Sequence, residues 1–330
     1  MAWEPLGWEA VAFSEIEPFP CRLLAEKYPD VPNLGDMTKV DWDLYRGRAD
    51  VLIGGTPCQS FSISGLRGSL SDDRGNLALE FINAANAIRP RFAVWENVPG
   101  VLSTKDNAFG CFLGGLVGAS SPLLPTSRRG RWPSAGVVVG PERSAAWRSI
   151  DAQYFGLAQR RKRVFVVASP GDGTDPFKVL FESEGVQRDS PPSREEGELD
   201  IAYSVTSKWA KGYGGPSGDE CYNMTVSPAW VPCEDCDEFF CLIHNAHAFE
   251  CDCRPIDEWL SDPYSNGRIR KYTPMEVERL MGFPDNYTFI SNSRDTPRYK
   301  ALGNSMAVPV IRWIGQRISA RAETALVNLP

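Results

Sequence analysis

The stretch VLIGGTPCQSFSISG, Val51 to Gly65, decides how this chain is read. Asp50 to Gly54 is a short apolar run closed by two glycines, the pattern of a buried strand running into a turn. A lone thiol, Cys58, follows behind Pro57, so Gly55–Ser62 is a loop at the carboxyl end of a strand. Working outward, residues 76–88 (NLALEFINAANAI) carry helical periodicity, and Arg91 to Glu96 (RFAVWE) and Arg163 to Ala168 (RVFVVA) read as further strands. Upstream, residues 9–14 (EAVAFS) read as a strand and 17–28 as a helix. Strands alternating with helices predict an α/β fold with a doubly wound, parallel sheet. In that architecture ligands sit outside the carboxyl ends of the strands, here Gly55–Ser62 and Glu96–Gly100.

The 330 residues suit one large domain, or one domain and a smaller one. The net charge of −7 argues at first against a polyanionic partner. Local basic clusters argue the other way: Arg128, Arg129 and Arg131, then Arg160 to Arg163. Much of the opposing acid lies in Glu182 to Asp200. No apolar run is long enough to span a bilayer and the N-terminus lacks a signal-peptide pattern, so the expected location is the cytoplasm. From Pro170 to about Gly267 periodicity gives way to a Gly-, Pro-, Ser- and acid-rich stretch, the composition of a second, irregular module. Order returns with TPMEVERLMGF (273–283), whose Thr-Pro start suits a helix N-terminus, and Ser305–Ala322 reads as a closing helix.

Three sets of side chains carry chemistry. Cys58 is useful as a nucleophile only as a thiolate, in a polar or electropositive site; the alternative is a small buried hydrophobe. Glu96 ends an apolar strand, where burial should raise its pKa and suit it to proton donation; a capping or ion-paired glutamate is the alternative. Arg161 and Arg163 share one strand face and could stabilise a thiolate, a carboxylate or a phosphate. Apart from these, Cys233, Cys236, Cys241, His244, His247, Cys251 and Cys253 crowd into one segment that holds both histidines of the chain. Close Cys-x-x-Cys and His-x-x-His spacings suit tetrahedral zinc, with more candidate ligands than one ion needs.

Taken together, GGTPCQSFS, ENVPG, DAQYFGLAQRRKRVFVV, RKYTPMEVERLMGFPDNY and ALGNSMAVP resemble the ordered motif set of the cytosine-5 DNA methyltransferases. The resemblance implies a Rossmann-like methyltransferase sheet formed by 1–169 and 268–330, with a target-recognition domain at 170–267 that includes a zinc knuckle at 233–253. It implies that the Cys58 thiolate adds to carbon-6 of a cytosine flipped out of double-stranded DNA, making carbon-5 nucleophilic toward the methyl of S-adenosylmethionine. Glu96 would contact N3 and the exocyclic amine. Arg161 and Arg163 would anchor the base and the active-site loop, and Gln159 would hold that loop's structure. Gln59, Ser60 and Ser62 would belong to a mobile loop that closes over the base. The implied cofactor residues are Glu15 for the ribose hydroxyls, Asp36 for the adenine, the adjacent Ile16 and Met37, Pro57, and Asn304 with Ser305. The implied setting is bacterial or phage-like: a monomer with no membrane association, paired with a cognate restriction endonuclease.

One departure bears on the cofactor. The family opens with a strand and a Phe-x-Gly-x-Gly-Gly loop, whereas this chain begins MAWEPLGWEAVAFSEIEPF, which matches what should follow that loop. A mis-called or alternative start is the expectation, ahead of a truncated or decayed gene. The competing readings are a non-catalytic DNA-binding relative that has lost the cofactor and a tRNA cytosine-5 methyltransferase.

Overall fold

The computed structural model describes residues 1–56, 77–127, 130–171, 176–181, 202–203, 224–228, 230–232, 239–241, 246–247 and 267–327. Its frame follows from where the apolar residues fall. Helix α1 (Pro18–Lys27) starts on a proline, and strand β1 (Val51–Gly54) follows it. Helix α2 (Leu77–Ile88) has Ala78, Phe81, Ile82, Ala85 and Ile88 at three- and four-residue spacing and buries that stripe. Strand β2 (Phe92–Asn97) is buried on both faces except at Glu96, as an unbroken apolar run predicts for a central strand. Helix α3 (Ala108–Val117) is apolar nearly all round and almost wholly buried. Strands β3 (Ala135–Val139), β4 (Arg143–Asp151), β5 (Gln159–Arg160) and β6 (Lys162–Pro170) complete the first half.

The central sheet has the order β1-β2-β6-β4-β3. Only β1 and β2 run parallel; β2–β6, β6–β4 and β4–β3 are all antiparallel. The sheet is therefore mixed, which corrects the expectation of a parallel, doubly wound sheet. The connections are the cause. Residues 140–142 join β3 to β4, and 152–161 separate β4 from β6. Neither segment is long enough for a crossover helix, so the chain must turn straight back on itself. Residues 9–14 are corrected too. They form no strand, and their ladder contact is a single bridge between Phe13 and Asn33. The alternating pattern lacks both a core face and a neighbouring strand, since these residues are exposed or only half-buried.

Helices cover both faces of the sheet, as expected for a wound α/β unit. On one face Trp95, Trp147 and Val166 pack against Phe81, Phe109, Phe112 and Leu113 of α2 and α3. The buried Arg143 guanidinium ties the same face together, donating to Asn86 Oδ1 and to the carbonyls of Ala85 and Leu116. On the other face Val94, Phe165 and Val167 meet helix α4 (Pro176–Leu180) and a long closing helix. Helix α4 lies inside the stretch assigned by composition to the second module, yet its Val179 and Leu180 are fully buried in this core.

Beyond α4 the described residues form short strands. β5 pairs in parallel with β7 (Ala202–Tyr203). β8 (Met224–Pro228) pairs with β12 (Gly267–Lys271), while β9 (Trp230–Pro232), β10 (Phe239–Cys241) and β11 (Ala246–His247) make a small antiparallel sheet. Helix α5 (Pro274–Met281) begins with the full capping box of Thr273 and Glu276 and stops at Gly282. Gly282 has φ +79, and a Cβ there would lie 2.5 Å from Pro309 Cδ, so both backbone and space require glycine. Helices α6 (Asp295–Asn304) and α7 (Val308–Val327) close the chain. Trp3 and Trp8 dock the N-terminal residues on α7 by donating to Ile311 O and Ser319 Oγ. Among the described residues, no helix is long and apolar enough to cross a membrane.

Candidate active site

The carboxyl ends of β1 and β2 lie side by side, with Gly54 in register with Trp95. Side chains of β2 alternate across the sheet here. Trp95 packs with α2 and α3, whereas Glu96 points the opposite way, toward the face under α7. Two side chains flanking Glu96 grip the chain as it leaves β1. Trp95 Nε1 donates to Thr56 Oγ1 at 2.8 Å, and Asn97 Nδ2 donates to Thr56 O at 2.9 Å, all within the buried interior. Gly55 lies against Glu96 itself: a Cβ there would stand 3.2 Å from Glu96 Oε2 and 3.4 Å from Met306 Cε.

Glu96 is only 12% exposed, and its Oε1 lies 3.2 Å from Arg163 Nε. Burial pushes its pKa up, and the positive charges of Arg163 and Arg161 pull against that rise without cancelling it. The arginines bear the converse effect. Burial lowers both, and the neighbouring Glu96 carboxylate opposes the fall. This is a largely buried carboxyl group, paired with a fixed cation, near the end of a strand.

Gln159, Arg161 and Arg163 alternate along one face and reach three separate parts of the fold. Gln159, fully buried, donates through Nε2 to Leu280 O at 2.7 Å and meets Met281 Sδ at 3.3 Å. The buried Arg161 donates through Nη2 to Gly303 O at 3.1 Å and Ser305 O at 2.7 Å. A guanidinium on carbonyls at the end of α6 is favourable, because those groups have no partner within the helix. The geometry thus gives Arg161 a hold on the α6–α7 turn, whereas Arg163 faces Glu96.

The cofactor candidates lie on two neighbouring segments. Phe13 bridges Asn33, and Ser14 Oγ donates to Gly35 O at 2.7 Å, which sets Glu15 and Asp36 on adjacent stretches of chain. Glu15 Oε1 accepts from the backbone N–H of Ile16 and Glu17, both at 2.8 Å. Asp36 Oδ1 accepts from Thr38 Oγ1 and N, and Lys39 Nζ lies 3.2 Å from Oδ2. The Thr38 hydrogen bonds, then Lys39, hold the Asp36 carboxyl below its ordinary pKa. Ile16 is 67% exposed, and Met37 is partly buried against the core beside α2. Asn304 is exposed, and Ser305 Oγ donates to Leu302 O. Two carboxylates on joined segments suit a ligand that offers hydroxyl and amine donors, the polar face of a nucleoside.

Cys58, Pro57, Gln59, Ser60 and Ser62 lie outside the described residues, as do Cys233, Cys236, His244, Cys251 and Cys253. Cys241 and His247 are described only as strand backbone, in antiparallel β10 and β11. Among the described residues no cluster of three metal-ligating side chains occurs. Thr56, Trp95, Asn97, Gly55 and Met306 also border the site, and the sequence alone does not single them out. A positional signal exists for two of them, since Trp95 and Asn97 flank the singled-out Glu96 in a strand.

This site and fold define a class, and comparison with known proteins identifies it. Residues 1–113 and 218–320 match the model of the C-5 cytosine-specific DNA methylases, and the chain belongs to that family. It is 35% identical to the DNA N-6-adenine-methyltransferase of Escherichia phage P1 over 97% of its own length and 59% of that protein's. It is 27% identical to the Type II methyltransferase M1.ScrFI of Lactococcus lactis subsp. cremoris, over 94% of this chain and 72% of the relative. Its fold resembles that of a DNMT2 variant from Spodoptera frugiperda with a TM-score of 0.58 at 17% identity, covering 97% of this chain and 95% of the other.

Proposed function

We propose that the chain methylates carbon-5 of a cytosine flipped out of double-stranded DNA. The carrying observation is Glu96: a carboxyl raised by burial, backed by Arg163, beside the exit of β1 toward Cys58. Carbon-5 of cytosine is too weak a nucleophile to take a methyl group unaided. The Cys58 thiolate adds to carbon-6, and neutral Glu96 donates to N3, so the ring's new electron density collects at carbon-5. Carbon-5 would take the methyl group as the donor's S–CH3 bond breaks to leave a neutral thioether; the carbon-5 proton then passes to solvent water, the C–H electron pair forms the carbon-5–carbon-6 double bond and expels the Cys58 thiolate, and N3 returns its proton to Glu96. Arg163 holds the Glu96 carboxyl in place, and Arg161 fixes the turn that carries Asn304 and Ser305. S-adenosylmethionine supplies the electrophilic methyl group; Glu15 and Asp36 would hold its ribose and adenine.

In this reading the catalytic unit takes in the residues up to Phe181, since α4 packs into its core, and those from α5 onward, while β12 pairs with β8 of the intervening module. The target-recognition module then lies between, and the proposed zinc ligands in 233–253 would staple it. A cognate restriction endonuclease and a cytoplasmic monomer are part of the same reading, and the Type II relatives' names support the first of these.

The test is methyl transfer from methyl-labelled S-adenosylmethionine to unmethylated DNA, followed by base analysis. 5-Methylcytosine in wild type and none with Cys58→Ser, whose DNA binding is retained, is the expected outcome. The phage P1 relative's name favours a second acceptor, the N6 amine of adenine. This chain spans 59% of that protein, so the name does not carry over as a whole. N6-methyladenine as the product would overturn the cytosine reading, and label in tRNA alone would overturn the DNA reading.

A further inference from the structure

We infer that Thr56 and Trp95 are positioning residues for the reaction, and that the hydrogen bond between them sets where the chain enters the Cys58 loop. The inference rests on the reading of Cys58 as the nucleophile. Trp95 is fully buried, and its ring stacks on Phe112 with centroids 4.0 Å apart and on Phe109 at 6.5 Å. A donor on so fixed a ring is a rigid reference point, and a buried indole N–H needs a partner. Its partner is the Thr56 hydroxyl at 2.8 Å.

The other end of Thr56 is held as well, because Asn97 Nδ2 binds its carbonyl at 2.9 Å. That carbonyl belongs to the peptide plane shared with Pro57, and the proline ring locks the next φ. The anchored Thr56 is two residues from Cys58 in sequence. Because Trp95 and Asn97 flank Glu96 in one strand, the proton donor and the approach to the nucleophile share a single rigid support. A shift of Thr56 moves one reacting group relative to the other, and misplacement of about 1 Å costs about 10²-fold in rate.

Thr56→Val keeps the shape and removes the acceptor; Thr56→Ser keeps the acceptor; Trp95→Phe removes the donor but keeps the stack. Each full-length variant is assayed for kcat and for KM toward unmethylated genomic DNA with labelled S-adenosylmethionine, alongside its melting temperature. Thr56→Val and Trp95→Phe should lower kcat by about 10²-fold with KM for DNA unchanged, and Thr56→Ser should restore most of the rate. Should Thr56→Val fail to fold with Trp95 N–H left unpaired, Trp95→Phe carries the same test without a stranded donor. Wild-type kcat in folded Trp95→Phe, or equal losses in Thr56→Val and Thr56→Ser, overturns the inference. Full activity in Cys58→Ser would instead remove the nucleophile reading beneath it, whatever the Thr56 variants do.

Discussion

Replacing Arg298 by methionine tests the charge arrangement that joins α5 to α6. Glu278 of α5 is fully buried, and its Oε1 collects the Thr288 N–H at 2.8 Å, the Thr288 hydroxyl, and Arg298 Nη2 at 3.1 Å. Arg298 Nε also donates to Thr288 Oγ1 at 2.9 Å, and the guanidinium sits 5.5 Å from the Phe289 ring centroid. Glu278 Oε2 has no hydrogen-bond partner among the described residues, so the carboxylate relies on Arg298 for its countercharge. Removing one partner of a buried pair costs about 3–5 kcal/mol. The two Thr288 donors survive in Arg298→Met, which places the loss near the low end, at about 3 kcal/mol. With an m-value of about 2–3 kcal/mol/M, the urea midpoint should fall by about 1–1.5 M. The double variant Glu278→Met, Arg298→Met exchanges the pair for apolar groups of similar size and should recover most of that loss, short of about 1 kcal/mol for the Thr288 bonds. A midpoint shift under about 0.3 M in Arg298→Met, or a double variant weaker than the single, refutes this account.

Three further outcomes follow from the site. In the proposed mechanism Glu96 donates only while neutral, and burial raises its pKa above the ordinary 4.5, so kcat/KM should fall as pH rises through that raised value. Glu96→Gln should be slower but lack this limb, and superimposable pH profiles for the two proteins would refute the donor role. The native state also holds this proton more tightly than the unfolded chain does, so its contribution to stability is full below about 4.5 and is lost as pH rises through the folded value. Arg160 and Lys162 are exposed and alternate with the buried Gln159 and Arg161, which makes them candidates for binding DNA phosphates beside the site. The double alanine variant should flatten the slope of log K for DNA against log salt by about 1.8, at about 0.9 for each phosphate no longer neutralised; an unchanged slope removes both residues from the interface.

The sequence was most readable where local pattern and burial agree. Helix α2, expected over 76–88, spans Leu77–Ile88, and the Thr-Pro start of α5 proves to be a capping box. Strand β4 carries no strand signature in its sequence, because RSAAWRSID mixes arginines with small residues. It is a strand because its ladder to β6 runs from Arg143 to Asp151, and because Arg143 buries its guanidinium among carbonyls. That is a tertiary cause with no local signature. Residues 9–14 failed in the opposite sense, since alternation was present but the pairing was not. At the site, Glu96 and Arg163 were legible from their strand positions, and they do meet. The hold of Arg161 on Gly303 and Ser305 joins residues 142 and 144 positions apart in sequence, and that of Gln159 on Leu280 joins residues 121 apart. No spacing rule reaches that far.

Those long-range ties also govern what can change between Phe181 and Gly267. Gln159 and Arg161 tie the C-terminal helices to the β5–β6 segment, and Lys300 Nζ, 2.6 Å from Glu17 Oε2, ties α6 to the start of α1; all of these ties lie outside 182–266. The entropy lost in closing that excursion grows only with the logarithm of its length, so doubling it adds about 0.6 kcal/mol. A fold fastened in this way can exchange the proposed target-recognition segment for one of quite different size while Glu96 and Arg163 keep their places.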